Sequence, residues 1–143
     1  MIQYCRLTEP TELDLIELSE LIHQLTKNAR TLTLEALRTV ASSHELLVAR
    51  DTETDDRIIG TALLAVMRTV SHVNGQIEDI VVDEAYRGRG VAKELLMRLV
   101  AYARVLEVER IDLGSEPHRE AANHLYTKFG FVVRDTNLYR LAL

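Results

Sequence analysis

The chain has 143 residues, 47% of them apolar and 27% charged, the mix of an ordinary soluble globule with room for one core. Its 17 Lys and Arg stand against 22 Asp and Glu, and the net charge of −5 excludes a protein that holds nucleic acid through its overall field. No apolar run approaches the ~20 residues of a membrane span, and the N-terminus has no basic-then-apolar leader. One cysteine, Cys5, cannot close an internal disulfide. The expected setting is therefore cytoplasmic, with no membrane partner.

The alternation in MIQYCRL predicts a first strand, with Cys5 as a small buried residue on it. Pro10 and Thr11 open a helix whose apolar stripe is Leu15, Leu18, Leu21, Ile22 and Leu25; Leu34, Leu37, Val40 and Ala41 mark a second, shorter one. ELLVARD (45–51) and IIGTALLAVMRTV (58–70) read as a hairpin, SHVNG (71–75) as a loop, and residues 76–83 as a further strand. From Gly90 the period changes. Val91, Leu95, Leu96, Leu99, Val100 and Ala103 share a helical face.

RIDLGSE (110–116) is again strand-like, and Pro117 is placed to open the helix HREAANHLYTKF, which Gly130 ends. FVVRD (131–135) and NLYRLAL (137–143) predict two terminal strands. The order β-α-α-β-β-β-α-β-α-β-β describes an α/β chain, a mixed central sheet flanked by helices, in a single domain over residues 1–143. Edge strands at the C-terminus would allow a homodimer.

The turn EAYRGRGVAK (84–93) places bare backbone and cations together between strand and helix. Gly88 and Gly90 let main-chain N–H groups approach a ligand closely, and the helix start adds partial positive charge. Arg87 and Arg89 bring forked donors suited to phosphate, and Lys93 follows one turn on. A dinucleotide fingerprint would need a third glycine where Lys93 stands, and a Walker A loop would need G-x-x-x-x-G-K-[ST]; neither is present. The five histidines have no metal-ligand spacing, so no metal is expected.

Arg87-Gly88-Arg89-Gly90-Val91-Ala92 resembles the R/Q-x-x-G-x-G/A signature of the GNAT superfamily, the acetyl-CoA-dependent N-acetyltransferases. The preceding IEDIVVDEAY and the later AANHLYTKFGF fit that family in order and spacing, so the resemblance covers about Gly75 to Phe131. It implies that Arg87, Gly88, Arg89, Gly90, Val91 and Ala92 wrap the coenzyme A pyrophosphate with Lys93 nearby. It also implies that the main chain of Ile80, Val81 and Val82 binds the pantetheine arm.

Acetyl transfer to an amine needs a base, because an alkylammonium, with a pKa of about 10, has no lone pair at neutral pH. Glu78 resembles the carboxylate at this place in the polyamine acetyltransferases of the superfamily. Asp79 is the candidate for acceptor binding, although strand alternation would turn it to the other face unless a bulge intervenes. Tyr126, in Tyr-x-x-x-Gly-Phe, resembles the family tyrosine that protonates the departing thiolate. Where the family often has a coenzyme-binding asparagine, seven positions before the tyrosine, this chain has Arg119; Asn123 is the candidate to take the amide's role.

His72 and Asn74, ahead of Glu78, are candidates for an acceptor pocket or for a plain solvent loop. The resemblance implies an enzyme with acetyl-CoA as donor and a primary amine as acceptor, either a small molecule, such as a polyamine or an amino acid, or a peptide N-terminus, in a ternary complex. IEDIVVD also resembles the matching strand of glucosamine-6-phosphate acetyltransferases, which keeps an amino sugar in view. A non-catalytic acyl-CoA-binding module is the remaining alternative.

Overall fold

The computed structural model describes residues 1–143, which divide into two compact units, Met1–Leu113 and Gly114–Leu143. The first unit holds a five-stranded sheet: β1 (Ile2–Arg6), β2 (Glu45–Asp51), β3 (Arg57–Arg68), β4 (Val73–Val82) and β5 (Arg110–Leu113), in that spatial order. The first four strands run antiparallel, and β5 lies parallel to β4. A parallel neighbour requires a crossover. Helix α3 (Val91–Val105) supplies it.

Helices α1 (Glu12–Leu25) and α2 (Leu34–Ser43) cover one face of the sheet, where Leu18, Leu21, Leu37 and Ala41 pack with Leu46, Val48, Leu63 and Val81. The opposite face belongs to α3, and Leu95, Leu96 and Leu99 are fully buried, each stabilising by about 1.5–3 kcal/mol. Gly60 sits on this face because a Cβ there would meet the Val91 side chain at 3.2 Å.

Helix starts differ in a way that matters for the site. Thr11 and Asp14 close a reciprocal capping box on α1, with Thr11 N–H donating to Asp14 Oδ2 at 2.8 Å, and Thr33 Oγ1 caps α2 through the Ala36 N–H. Helix α3 starts from Gly90 with no side-chain cap. Asp14 also pairs with Arg50 at 2.7 Å, pinning α1 to β2.

In the second unit, α4 (Glu120–Phe129) ends at Gly130, whose φ of 120° suits only glycine and whose N–H reaches the Tyr126 and Thr127 carbonyls. The helix begins later than its sequence suggested: Pro117 lies in the turn before it. The two terminal strands are not formed. Residues 131–143 have no regular structure, and Val133 and Leu138 are more than nine-tenths exposed. Thr136 alone would have to join the two segments, one residue fewer than the shortest common hairpin loop, and no glycine follows Gly130.

Cys5 is exposed rather than buried, because β1 is an edge strand with a neighbour on one side only. The loop expected at 71–75 is shorter too, since β4 begins at Val73. No helix is long and apolar enough to cross a membrane.

Candidate acetyl-transfer site

Strand β4 changes character halfway. From Asn74 to Ile77 it is paired on both sides, with β3 and with β5. Strand β5 ends at Leu113, opposite Ile77, so Glu78–Val82 keep β3 on one edge and no sheet strand on the other. The Asp83 N–H donates to Ile59 O on β3. By alternation the Val82 N–H points the other way, to the free edge. An extended ligand can add itself there as a strand would.

A β-bulge lies at the same place. Thr61 pairs with Val81 and Leu63 with Glu78, so β4 carries one residue more than β3 between these points. Asp79 takes up the excess with a φ of 54°, a left-handed conformation that aspartate tolerates better than most residues. The bulge brings two carboxylates to one face. Glu78 is opposite Leu63, which belongs to the α1–α2 core, and Asp79 lines a cavity with Leu63, Leu46 and Leu18.

The pair then diverges. Glu78 is exposed, and its Oε1 accepts from Gln76 Nε2 at 3.1 Å. Asp79 is exposed as well, but it stands at the mouth of the cavity, where partial burial pushes its carboxyl above the ordinary aspartate value and the Glu78 charge adds to the rise. The cavity holds about 410 Å³ between the sheet and the α1–α2 loop; its walls include Ile22, Leu32, Leu37 and Val40, with His23 and Arg30 also lining it.

The glycine turn follows β4 through a 3₁₀ turn at Glu84–Tyr86. Gly88 and Gly90 have φ of 76° and 79°, and a Cβ at either would point into open space. No protein group accepts from the main-chain N–H of Gly88, Arg89, Gly90, Val91, Ala92 or Lys93, whereas Glu94 N–H already bonds back to Gly90 O. Six consecutive donors at an uncapped helix start form a site for an anion. Arg87 steadies the turn by donating from Nε to Val82 O at 3.1 Å. Arg89 lies 5.0 Å over the Tyr86 ring, and the Tyr86 hydroxyl donates to Asp51 Oδ2 at 2.7 Å.

Tyr86 is a residue the sequence reading missed. Its only signal was an aromatic ring next to the basic glycine run. The wall residues Ile22 and Leu32 were also missed: a helical stripe does not reveal which of its members face a cavity, and Leu32 lies in the loop between α1 and α2. His72 and Asn74 do not line that cavity. His72 Nδ1 is 3.5 Å from Glu109 Oε1, and Asn74 Oδ1 accepts from Arg110 Nε at 3.0 Å, so both tie β4 to the β5 side.

In the second unit, Tyr126 is buried and meets Phe131 edge-on at 6.1 Å between centroids. Burial raises its hydroxyl above the ordinary tyrosine value, against a smaller opposing pull from the Arg119 guanidinium, so it stays protonated at neutral pH. Asn123 donates from Nδ2 to Glu116 O at 2.9 Å, which fixes the approach to α4 and engages its NH2 group, while no protein group donates to its Oδ1. Arg119 stands at the N-cap of α4 without a side-chain cap bond.

The sequence matches the model of the acetyltransferase (GNAT) family over residues 13–131. It is 30% identical over 116 residues to glucosamine 6-phosphate N-acetyltransferase 1 of rice, Oryza sativa subsp. japonica, covering 80% of this chain and 68% of that one. A second rice protein described as a probable glucosamine 6-phosphate N-acetyltransferase is 33% identical over 106 residues, of whose length this chain spans 62%. Among solved structures, an acetyltransferase of Trypanosoma brucei superposes with a TM-score of 0.80 at 28% identity, covering both chains in full. The uncapped glycine turn, the half-free strand and these likenesses agree: the chain belongs to the acetyltransferase (GNAT) family, as an N-acetyltransferase.

Proposed function

We propose that the protein transfers acetyl from acetyl-CoA to the primary amine of a small molecule, by direct attack within a ternary complex. The carrying observation is the run of unbonded main-chain donors from Gly88 to Lys93, set beside a strand edge that lacks a partner. The family match spans residues of both units, which supports reading residues 1–143 as one catalytic domain. The single free cysteine supports a reducing, cytoplasmic setting.

The residues present fit the coenzyme. The amides of Gly88 to Lys93, with Arg87 and Arg89, would hold its diphosphate, and the main chain of Ile80, Val81 and Val82 would line its pantetheine arm. The coenzyme supplies an acyl carbon activated as a thioester. Glu78 takes a proton from the acceptor ammonium, directly or through water, and so exposes the attacking lone pair. The Val82 N–H, facing the free edge, donates to the carbonyl oxygen as charge grows there. The C–N bond forms and the C–S bond breaks; the Tyr126 hydroxyl gives its proton to the departing sulfur, and the second proton lost by the attacking nitrogen returns through water to the tyrosinate.

Asp79 binds the acceptor's cationic end. Asn123, engaged with Glu116 O, positions the start of α4. The rice relatives are named for glucosamine 6-phosphate, which keeps an amino-sugar phosphate as a second acceptor class.

The test is a thiol-release assay across pH. Glu78→Gln should lower kcat by about 10²-fold or more and shift the pH–rate profile, with acetyl-CoA affinity unchanged. Tyr126→Phe should lower kcat and flatten the alkaline limb. Wild-type rates and profiles in both variants would reject the assigned roles.

A further inference from the structure

The cavity beside Asp79 carries information about the acceptor. Resting on the acetyl-transfer reading above, we infer that the acceptor is a primary amine with an apolar body, its ammonium group at Asp79 and its body in the cavity beneath the α1–α2 loop.

Three observations carry this. Aliphatic side chains, Leu18, Ile22, Leu32, Leu37, Val40 and Leu63 among them, supply most of the wall surface, beside the hydroxyls of Ser19, Thr26, Thr31 and Thr61. Sugar hydroxyls set against the aliphatic part of the wall would lose water without gaining hydrogen bonds, at about 1–3 kcal/mol each, and of the wall's hydroxyls Ser19 and Thr61 already donate to Leu15 O and Leu47 O. Next, Asp79 has no cation and no hydrogen-bond donor from the protein, although the bulge turns it into the cavity. An incoming ammonium completes it and also relieves its repulsion from Glu78. Last, the volume of about 410 Å³ lies at the small end of the roughly 300–1,000 Å³ typical of small-molecule sites.

Basic groups for a phosphate are sparse. The cavity has His23, whose Nδ1 is engaged with the Ser19 carbonyl at 2.7 Å, and Arg30 on the loop. Two carboxylates on the same face oppose a dianion.

The experiment uses the whole chain, acetyl-CoA, and a series of ethylamine, butylamine and hexylamine, with glucosamine 6-phosphate as the polar comparison. The kcat/KM should climb by about fourfold per added methylene, the gain expected from burying each one. Hexylamine should exceed glucosamine 6-phosphate. Asp79→Asn should raise the hexylamine KM about 30-fold while acetyl-CoA affinity holds, and Ile22→Ser should flatten the methylene slope. A flat series, or preference for glucosamine 6-phosphate, overturns the inference and leaves acetyl transfer standing.

Calorimetry with hexylammonium chloride separates the remaining case. Binding without turnover of any amine supports the cavity's assignment and rejects the transfer reading. Absence of both rejects the two together.

Discussion

The two halves of β4 are built from one continuous strand and serve opposite ends. Residues 74–77 have a strand on each side, and Gly75 there is hemmed in by Leu64, Val108 and Ile111. Residues 78–82 have a strand on one side, carry the bulge, and lead into a turn whose donors bond to nothing in the protein. The difference teaches where this fold closes its hydrogen bonds: the ladder is complete on both sides at residues 74–77 and open on one side at 78–82, where the proposed coenzyme arm would pair. The helix caps repeat the pattern, since α1 and α2 have threonine caps and α3 has a bare glycine.

Breaking the functional end should give the largest effect. Gly90→Val puts a branched side chain at a φ of 79° where only open space lies. The left-handed strain is about 1–2 kcal/mol, so the fold should survive. Acetyl-CoA affinity measured by calorimetry should fall more than 100-fold, and retained affinity would separate the turn from the coenzyme.

Next comes a change outside β4. Arg50→Met leaves Asp14 buried and unpaired, and should cost about 3–5 kcal/mol in urea unfolding with coenzyme binding intact. Its pH dependence follows from sign. Burial pushes the Asp14 carboxyl up, but hydrogen bonds from Arg50 and Thr11 with the Arg50 charge hold it below the ordinary value. The native pair therefore stabilises above the unfolded-state pKa, and that contribution is lost as pH falls through the lower folded value. In the variant burial dominates, so its deficit against wild type should shrink in acid.

The smallest effect belongs to the closed end. Gly75→Ala brings a methyl to 3.0 Å from Leu64 and should cost about 1–3 kcal/mol of stability, with acetyl-CoA affinity unchanged. Weakened coenzyme binding in that variant would erase the contrast between the halves.

Much of this was legible in the residues. The bounds of β2 fall at Glu45–Asp51 as its apolar run predicted, and the shift of period at Gly90 marked α3 to within a residue. The glycine turn was legible because local chemistry decides it: glycines at positive φ, arginines, and a helix start lie within ten residues. The bulge was not, since an aspartate at positive φ is imposed by the mismatch between β3 and β4, which no single strand encodes. Nor did the alternation at 131–143 reveal its outcome. Alternating side chains describe a strand that has a partner, and the sequence could not say whether an edge would be there. Cys5 failed for the same reason, because a strand's rank in the sheet sets how deeply it is covered.

The most direct measurement is a backbone amide NMR titration with coenzyme A. The account predicts large downfield shifts at Gly88 to Lys93, with a further shift at Val82 and small changes at Asn74–Ile77. Unmoved amides between Gly88 and Lys93 at saturating coenzyme would contradict it.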